Sequence, residues 1–133
     1  MRPHEMNRIV VDASALLAVL NQEAGAERLT PELLNAAASS TGILAEVQGK
    51  LVDRGLSSDD AWEATLSPIR EAVSFTPEHA RLAGDLVRQT RPYDLSLGDR
   101  VCLALGIVLR APVYTADRSW KNLKVGIRIH VIR

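Results

Sequence analysis

Cysteine is nearly absent from this chain of 133 residues: Cys102 stands alone. A single thiol excludes an internal disulfide and a cysteine zinc cluster. It sits in Val101-Cys102-Leu103-Ala104-Leu105, an apolar run where burial raises a thiol's pKa, so packing is expected of it rather than nucleophilic chemistry. Histidine is scarce as well. His4, His79 and His130 are far apart in sequence and share no helix, which argues against a histidine zinc site. Nowhere do roughly 18 apolar residues run together. Met1 to Arg8 is polar and of mixed charge, without the apolar core of a secretory signal. A cytoplasmic protein with no membrane partner is therefore expected. No P-loop, no Gly-x-Gly-x-x-Gly and no Gly-x-Ser-x-Gly elbow is present, so phosphate binding or acyl chemistry by those devices is excluded. There is also no repeat and no low-complexity linker.

What is present is ordinary globular material: 47% hydrophobic and 24% charged residues, enough for one core and too apolar for disorder. The length fits a single domain over residues 1–133. Sixteen basic and 16 acidic residues cancel, against a uniformly basic nucleic-acid module. The balance conceals an asymmetry. Residues 1–80 carry 12 acids and 6 bases, and residues 81–133 carry 4 acids and 10 bases. No acid follows Asp117, whereas Arg118, Lys121, Lys124, Arg128 and Arg133 do. Either two opposite fields lie side by side, or the halves intermix and the fields cancel.

The pattern alternates short strands with helices. Residues 8–11 read as a buried strand ending at Asp12, with Ser14 as the cap of a helix over 15–20. A helix is expected over 24–34, with Pro31 opening a new turn, then an alanine-rich second strand over 35–40. Residues 41–54 have helical spacing and stop at Gly55. Ser57 or Ser58 caps the next helix, with Asp59 and Asp60 in its first turn and Pro68 near its end. A third strand is expected over 72–75, a helix from Pro77 to about Gln89, and a loop over 91–94. Ser96 caps an apolar helix over 97–109. Val113-Tyr114-Thr115 reads as the fourth strand, a turn or short helix runs to Leu123, and the fifth strand covers 127–132. Such alternation predicts an α/β fold with a parallel sheet covered on both faces, whose ligands bind at the carboxyl ends of the strands.

That rule singles out acids. Asp12 closes the first strand and Asp117 follows the fourth. Asp99 lies in the first turn of the apolar helix, and Glu46 in the helix after the second strand. Each also has a structural reading: Glu46 suits an ion pair with Lys50 one turn on, Asp117 an N-cap, Asp99 a favourable place at a helix N-terminus. Asp12 is harder to explain so, because an acid ending an apolar strand is costly unless paired or bound to a metal. Clustered carboxylates raise one another's pKa, and a hard divalent cation such as Mg²⁺ or Mn²⁺ resolves the repulsion.

Four segments, in order, carry a resemblance: Val10-Val11-Asp12-Ala13-Ser14-Ala15-Leu16-Leu17-Ala18, Leu44-Ala45-Glu46-Val47, Leu95-Ser96-Leu97-Gly98-Asp99-Arg100-Val101-Cys102-Leu103-Ala104-Leu105, and Tyr114-Thr115-Ala116-Asp117-Arg118-Ser119-Trp120. They resemble the four motifs of the PIN-domain family, and more narrowly the VapC-type toxins of prokaryotic type II toxin–antitoxin pairs. The alanine-rich second strand and the Asp12–Glu46 spacing depart somewhat from the typical pattern. The resemblance implies a PIN-like three-layer α/β/α sandwich with a central parallel sheet of about five strands in the order 3-2-1-4-5. It implies a Mg²⁺- or Mn²⁺-dependent endoribonuclease leaving 5′-phosphate and 3′-hydroxyl ends. Asp12, Glu46, Asp99 and Asp117 match the acidic quartet, with Asp12 and Asp99 the surest metal ligands. Ser14 and Thr115 match supporting hydroxyls. A cognate antitoxin protein and a homodimer are implied partners; Trp62 and the helices around it are candidate contact surface for either, with core packing as the equal alternative.

An acidic site repels RNA by itself, so Arg100, Arg118, Lys121 and Lys124, near Asp99 and Asp117 in sequence, are candidate phosphate contacts, the alternative being a plain solvated surface. Two other function classes compete. A PIN-like protein-binding module without catalysis is one, and the intact quartet speaks against it. A phospho-acceptor receiver domain is the other. It lacks support because the first strand ends in one acid and no lysine stands at Thr115 to Asp117.

Overall fold

The structure is a computed structural model and describes residues 8–133. Met1 to Asn7, with His4 and nearly all of the polar N-terminal segment, lie outside the described residues. Five parallel strands form one sheet: β1 (Ile9–Val11), β2 (Ala37–Ser40), β3 (Glu71–Val73), β4 (Val113–Thr115) and β5 (Ile129–Val131), in the order β3-β2-β1-β4-β5. Among the described residues seven helices connect them: α1 (Ala13–Leu20), α2 (Pro31–Leu34), α3 (Thr41–Asp53), α4 (Ser58–Leu66), α5 (Pro77–Asp85), α6 (Val87–Thr90) and α7 (Leu97–Leu109). This is the expected α/β architecture and strand order. Every residue of β1 and β2 is buried, and successive strand side chains point to opposite faces, so helices cover the sheet on both sides. No helix among the described residues is long and apolar enough to cross a membrane.

The alanines of β2 are poor strand formers, and packing overrides that preference. Helices α3 and α7 both lie against this strand, and small side chains let them approach. Ser39 donates its hydroxyl to the Val11 carbonyl (3.2 Å), which satisfies a polar group in the fully buried strand. On the other side of β1, α7 comes close to β4 at Gly106. A Cβ there would stand 2.6 Å from Val113 Cγ2 and 2.7 Å from Ile127 Cδ1. The core joins Val10, Val11, Leu16, Leu44, Leu103 and Leu105 with Trp120, all essentially inaccessible, and burying each aliphatic side chain contributes about 2 kcal/mol.

Several boundaries differ from the sequence reading. The N-cap of α1 is Asp12, not Ser14: Asp12 is extended (φ −88°, ψ 176°) and accepts the Ala15 N–H, so the helix starts at Ala13. The segment expected as one helix over 24–34 is a 3-10 turn at Ala26–Arg28 followed by the single turn α2, because Gly25 takes φ +93° and Thr30 caps anew. The helix from Pro77 breaks at Leu86. Thr90 turns its hydroxyl back onto the Leu86 carbonyl (2.9 Å), a bond that bends helices. Arg91–Tyr93 is a 3-10 turn rather than open loop. β3 ends at Val73, and Phe75 N–H leaves the ladder for the Thr41 hydroxyl (3.0 Å). β5 is limited to Ile129–Val131 because its neighbour β4 offers three residues to pair with.

Candidate active site at the β1–β4 seam

Adjacent parallel strands β1 and β4 place Asp12 and Asp117 at one edge of the sheet, as expected. Asp12 is only 3% exposed. Its carboxylate accepts from Ala15 N–H (2.8 Å, Oδ1), from Thr115 Oγ1 (2.6 Å, Oδ2) and from Ser14 Oγ (2.8 and 3.0 Å). Each hydroxyl has one proton and gives it to Asp12, then accepts a backbone N–H from beyond β4. Ala116 N–H donates to Ser14 (2.9 Å) and Asp117 N–H to Thr115 (3.0 Å). The loop that carries Asp117 is thereby fastened to Asp12 through the two hydroxyls.

All of these donors are neutral. Burial pushes the Asp12 carboxyl up to about 6, against the pull of Thr115, Ala15 and Ser14, and the nearby Asp99 charge adds to the rise. A second observation brings the acids together. Burial holds the Cys102 thiol well above its ordinary value, and the fields of Asp12, Asp99 and Glu46 push it the same way. The fields of three of the four acids thus reach one buried point on α7. Cys102 itself is the inert packing residue that its apolar run implied.

The outer acids are also held locally. Asp99 closes a capping box with Ser96: Ser96 N–H donates to Asp99 Oδ2 (2.9 Å) and Asp99 N–H to Ser96 Oγ (3.1 Å). Glu46 lies 3.5 Å from Lys50 Nζ, and its Oε1 rests against Gly98 at the start of α7. Asp117 is exposed and caps the 3-10 turn Arg118–Trp120, accepting from Ser119 N–H (2.9 Å) and Oγ (2.8 Å). Each structural role foreseen for these acids is therefore present. It uses one oxygen of Asp99 and one of Asp117.

No three acids, histidines or cysteines among the described residues stand close enough to form a ready-made metal cage. The donor set nevertheless fits a hard cation. It is all oxygen, and its deepest member, Asp12, has no cationic partner among the described residues, with Asp99 near enough to repel it.

The candidate RNA contacts divide. Arg118, Lys121 and Lys124 are exposed beyond β4. Arg100 is half-buried between α5 and α7, donating from Nη1 to the Ala83 carbonyl (3.0 Å), with a buried Nε that has no partner among the described residues. It belongs to helix packing more than to an open surface. The sequence reading passed over Gly98. Its signal is a helix-breaking residue in the first turn of a strong helix, directly before a singled-out acid.

The PIN domain family profile matches residues 9–126. No curated protein is a significant sequence match. Solved structures share the fold. The sarcin–ricin-loop-cleaving toxin VapC20 of Mycobacterium tuberculosis is 20% identical, covers 90% of this chain and 98% of its own, with a TM-score of 0.71. A toxin–antitoxin complex from Klebsiella pneumoniae has 17% identity, 94% and 98% coverage, and a TM-score of 0.70. VapBC2 of Rickettsia felis, bound to a promoter DNA fragment, has 17% identity, 91% and 96% coverage, and a TM-score of 0.70.

Proposed function

The chain belongs to the PIN-domain family, and from that premise we propose that it is a Mg²⁺- or Mn²⁺-dependent endoribonuclease, the toxin of a type II toxin–antitoxin pair. The observation that carries this reading is Asp12: a carboxylate buried at a strand end, with neutral donors only, facing the field of a second acid. Asp12 and Asp99 would hold the cation directly, and Glu46 and Asp117 would complete its surroundings. Such an ion supplies Lewis-acid polarisation, a water of lowered pKa and neutralisation of phosphoryl charge. The chain's own residues do the rest. Ser14 and Thr115 orient the Asp12 carboxylate and keep its two oxygens fixed. The Ser96 box holds Asp99 at the mouth of α7. Arg118, Lys121 and Lys124 offset the repulsion between acids and RNA backbone and hold the strand by its phosphates.

A cytoplasmic location, a homodimer and an antitoxin that covers the acids with a basic side chain complete the proposal. Trp62, 43% exposed on α4, is the candidate apolar contact for either protein partner. The relatives of the same fold include complexes with antitoxins, which supports the antitoxin part. A catalytically inactive protein-binding PIN module is the competing reading.

Cleavage of total RNA, with Mg²⁺ or Mn²⁺ and with EDTA, separates the two. Discrete products are expected that need the metal and fall at least a hundredfold in Asp99→Asn. No cleavage by antitoxin-free protein with either metal would favour the binding module. Cleavage surviving Asp99→Asn at full rate would refute the assigned site.

A further inference from the structure

Beyond the acids, the edge of the sheet holds an open cleft of about 480 Å³ lined by Arg118, Lys121, Ile129, His130, Val131 and Arg133. A second hollow shares Arg118 and Arg133 with it and continues to Ser14, Ala116 and Asp117. Joined through these two arginines, they make a trough from Asp117 to strand β5. The lining has three cations and no acid at its outer end. Arg133 is a wall rather than a free charge, since it pairs with Glu23 and donates from Nε to the Ala24 carbonyl (3.2 Å). Arg118 and Lys121 have no ion-pair partner among the described residues.

The trough ends on a ring. His130 is the register partner of Tyr114, and their side chains stack at 4.6 Å between centroids and 20° between planes. Tyr114 is half-buried against the core, and His130 is exposed. The inner ring therefore fixes the outer one in place, with little side-chain entropy left to lose when a further flat group lands on it.

Resting on the nuclease reading above, we infer that this cleft is a nucleotide subsite. Arg118 and Lys121 hold a backbone phosphate, and His130, stacked on Tyr114, receives one unpaired base of the RNA beside the cleavage point. Single-stranded nucleic acid is bound by this combination of cationic groove and aromatic platform, and stacking tolerates any base. The subsite accordingly selects for an unpaired nucleotide rather than for a sequence.

The test is fluorescence anisotropy of a labelled single-stranded RNA on Asp99→Asn protein in Mg²⁺, across a salt titration. Adding His130→Ala is expected to weaken binding about tenfold with an unchanged salt slope, and His130→Phe to keep most of the affinity. Arg118→Gln and Lys121→Gln are each expected to lower the slope by about 0.7. Unaltered affinity in His130→Ala, or equal loss in His130→Phe, overturns the stacking subsite. If the parent still binds, and wild type still cleaves, the nuclease reading survives that result. If wild type neither binds nor cleaves RNA, the nuclease reading has failed and the subsite with it. Capture of an acidic peptide by the same cleft, in place of RNA, would likewise overturn it.

Discussion

Asp12 accepts three sets of donated hydrogen bonds and still holds its proton to about pH 6, because desolvation outweighs them. In an unfolded chain the same group loses its proton near 3.8. Between these values the folded state binds more protons than the unfolded one, so stability falls as pH rises. The contribution is full below about pH 4, is lost through about pH 6, and amounts to the order of 3 kcal/mol. Asp12→Asn keeps an N-capping oxygen and removes the charge. In metal-free buffer its advantage over wild type in urea denaturation should grow from pH 4 to 6 and then level off. Added Mg²⁺ or Mn²⁺ should stabilise wild type alone. A difference independent of pH would show that the buried charge is not the cause.

At the scale of elements, the site depends on how closely α3 meets α7. Glu46 Oε1 occupies the space where residue 98 would carry a Cβ, so glycine there lets the carboxylate reach the start of α7 beside Asp99. In Gly98→Ala the obstructing atom is the tip of a flexible side chain, which moves at little cost to the fold. The expected outcome is a melting temperature within a few degrees of wild type, with a severalfold higher metal concentration for half-maximal RNA cleavage. Equal metal dependence would separate Glu46 from the site.

The elements themselves were largely legible. Apolar runs closed by Asp12 and Thr115 marked β1 and β4, and Pro31, Pro77, Gly55 and Ser96 marked helix ends through backbone constraints that act locally. What a pattern could not reveal were effects from elsewhere in the chain. The Asp12 cap depends on a carboxylate whose other oxygen is held by Thr115, and β5 is as long as β4 permits. Position in the pattern placed Asp12 and Asp117 at one edge of the sheet, but the half-burial of Arg100 against Ala83 was not legible, because nothing local says which helix will cover it.

For the molecule as a whole, the charge asymmetry survives folding in the sheet. Strands β3, β2 and β1 come from the acidic first part of the chain, and β4 and β5 from the basic second part, without interleaving. The seam between them carries Asp12 and Asp117 at its carboxyl end, with the cationic trough on the β4–β5 side. The helices are less strictly divided, since α7 also packs against β1 and β2.

That seam joins residues made at very different times. Asp12 and Thr115 are 103 positions apart, and the hydroxyl that steadies the first acid belongs to β4. A growing polypeptide holds Asp12 and Glu46 well before β4 exists, yet Asp12 lacks its Thr115 partner, since long-range pairing must wait for its second strand. A chain stopped after Arg110 should accordingly show neither cooperative melting nor RNA cleavage, and activity in such a fragment would contradict this. On the nuclease function proposed above, the order of the strands withholds activity from the nascent chain until β4 has been made.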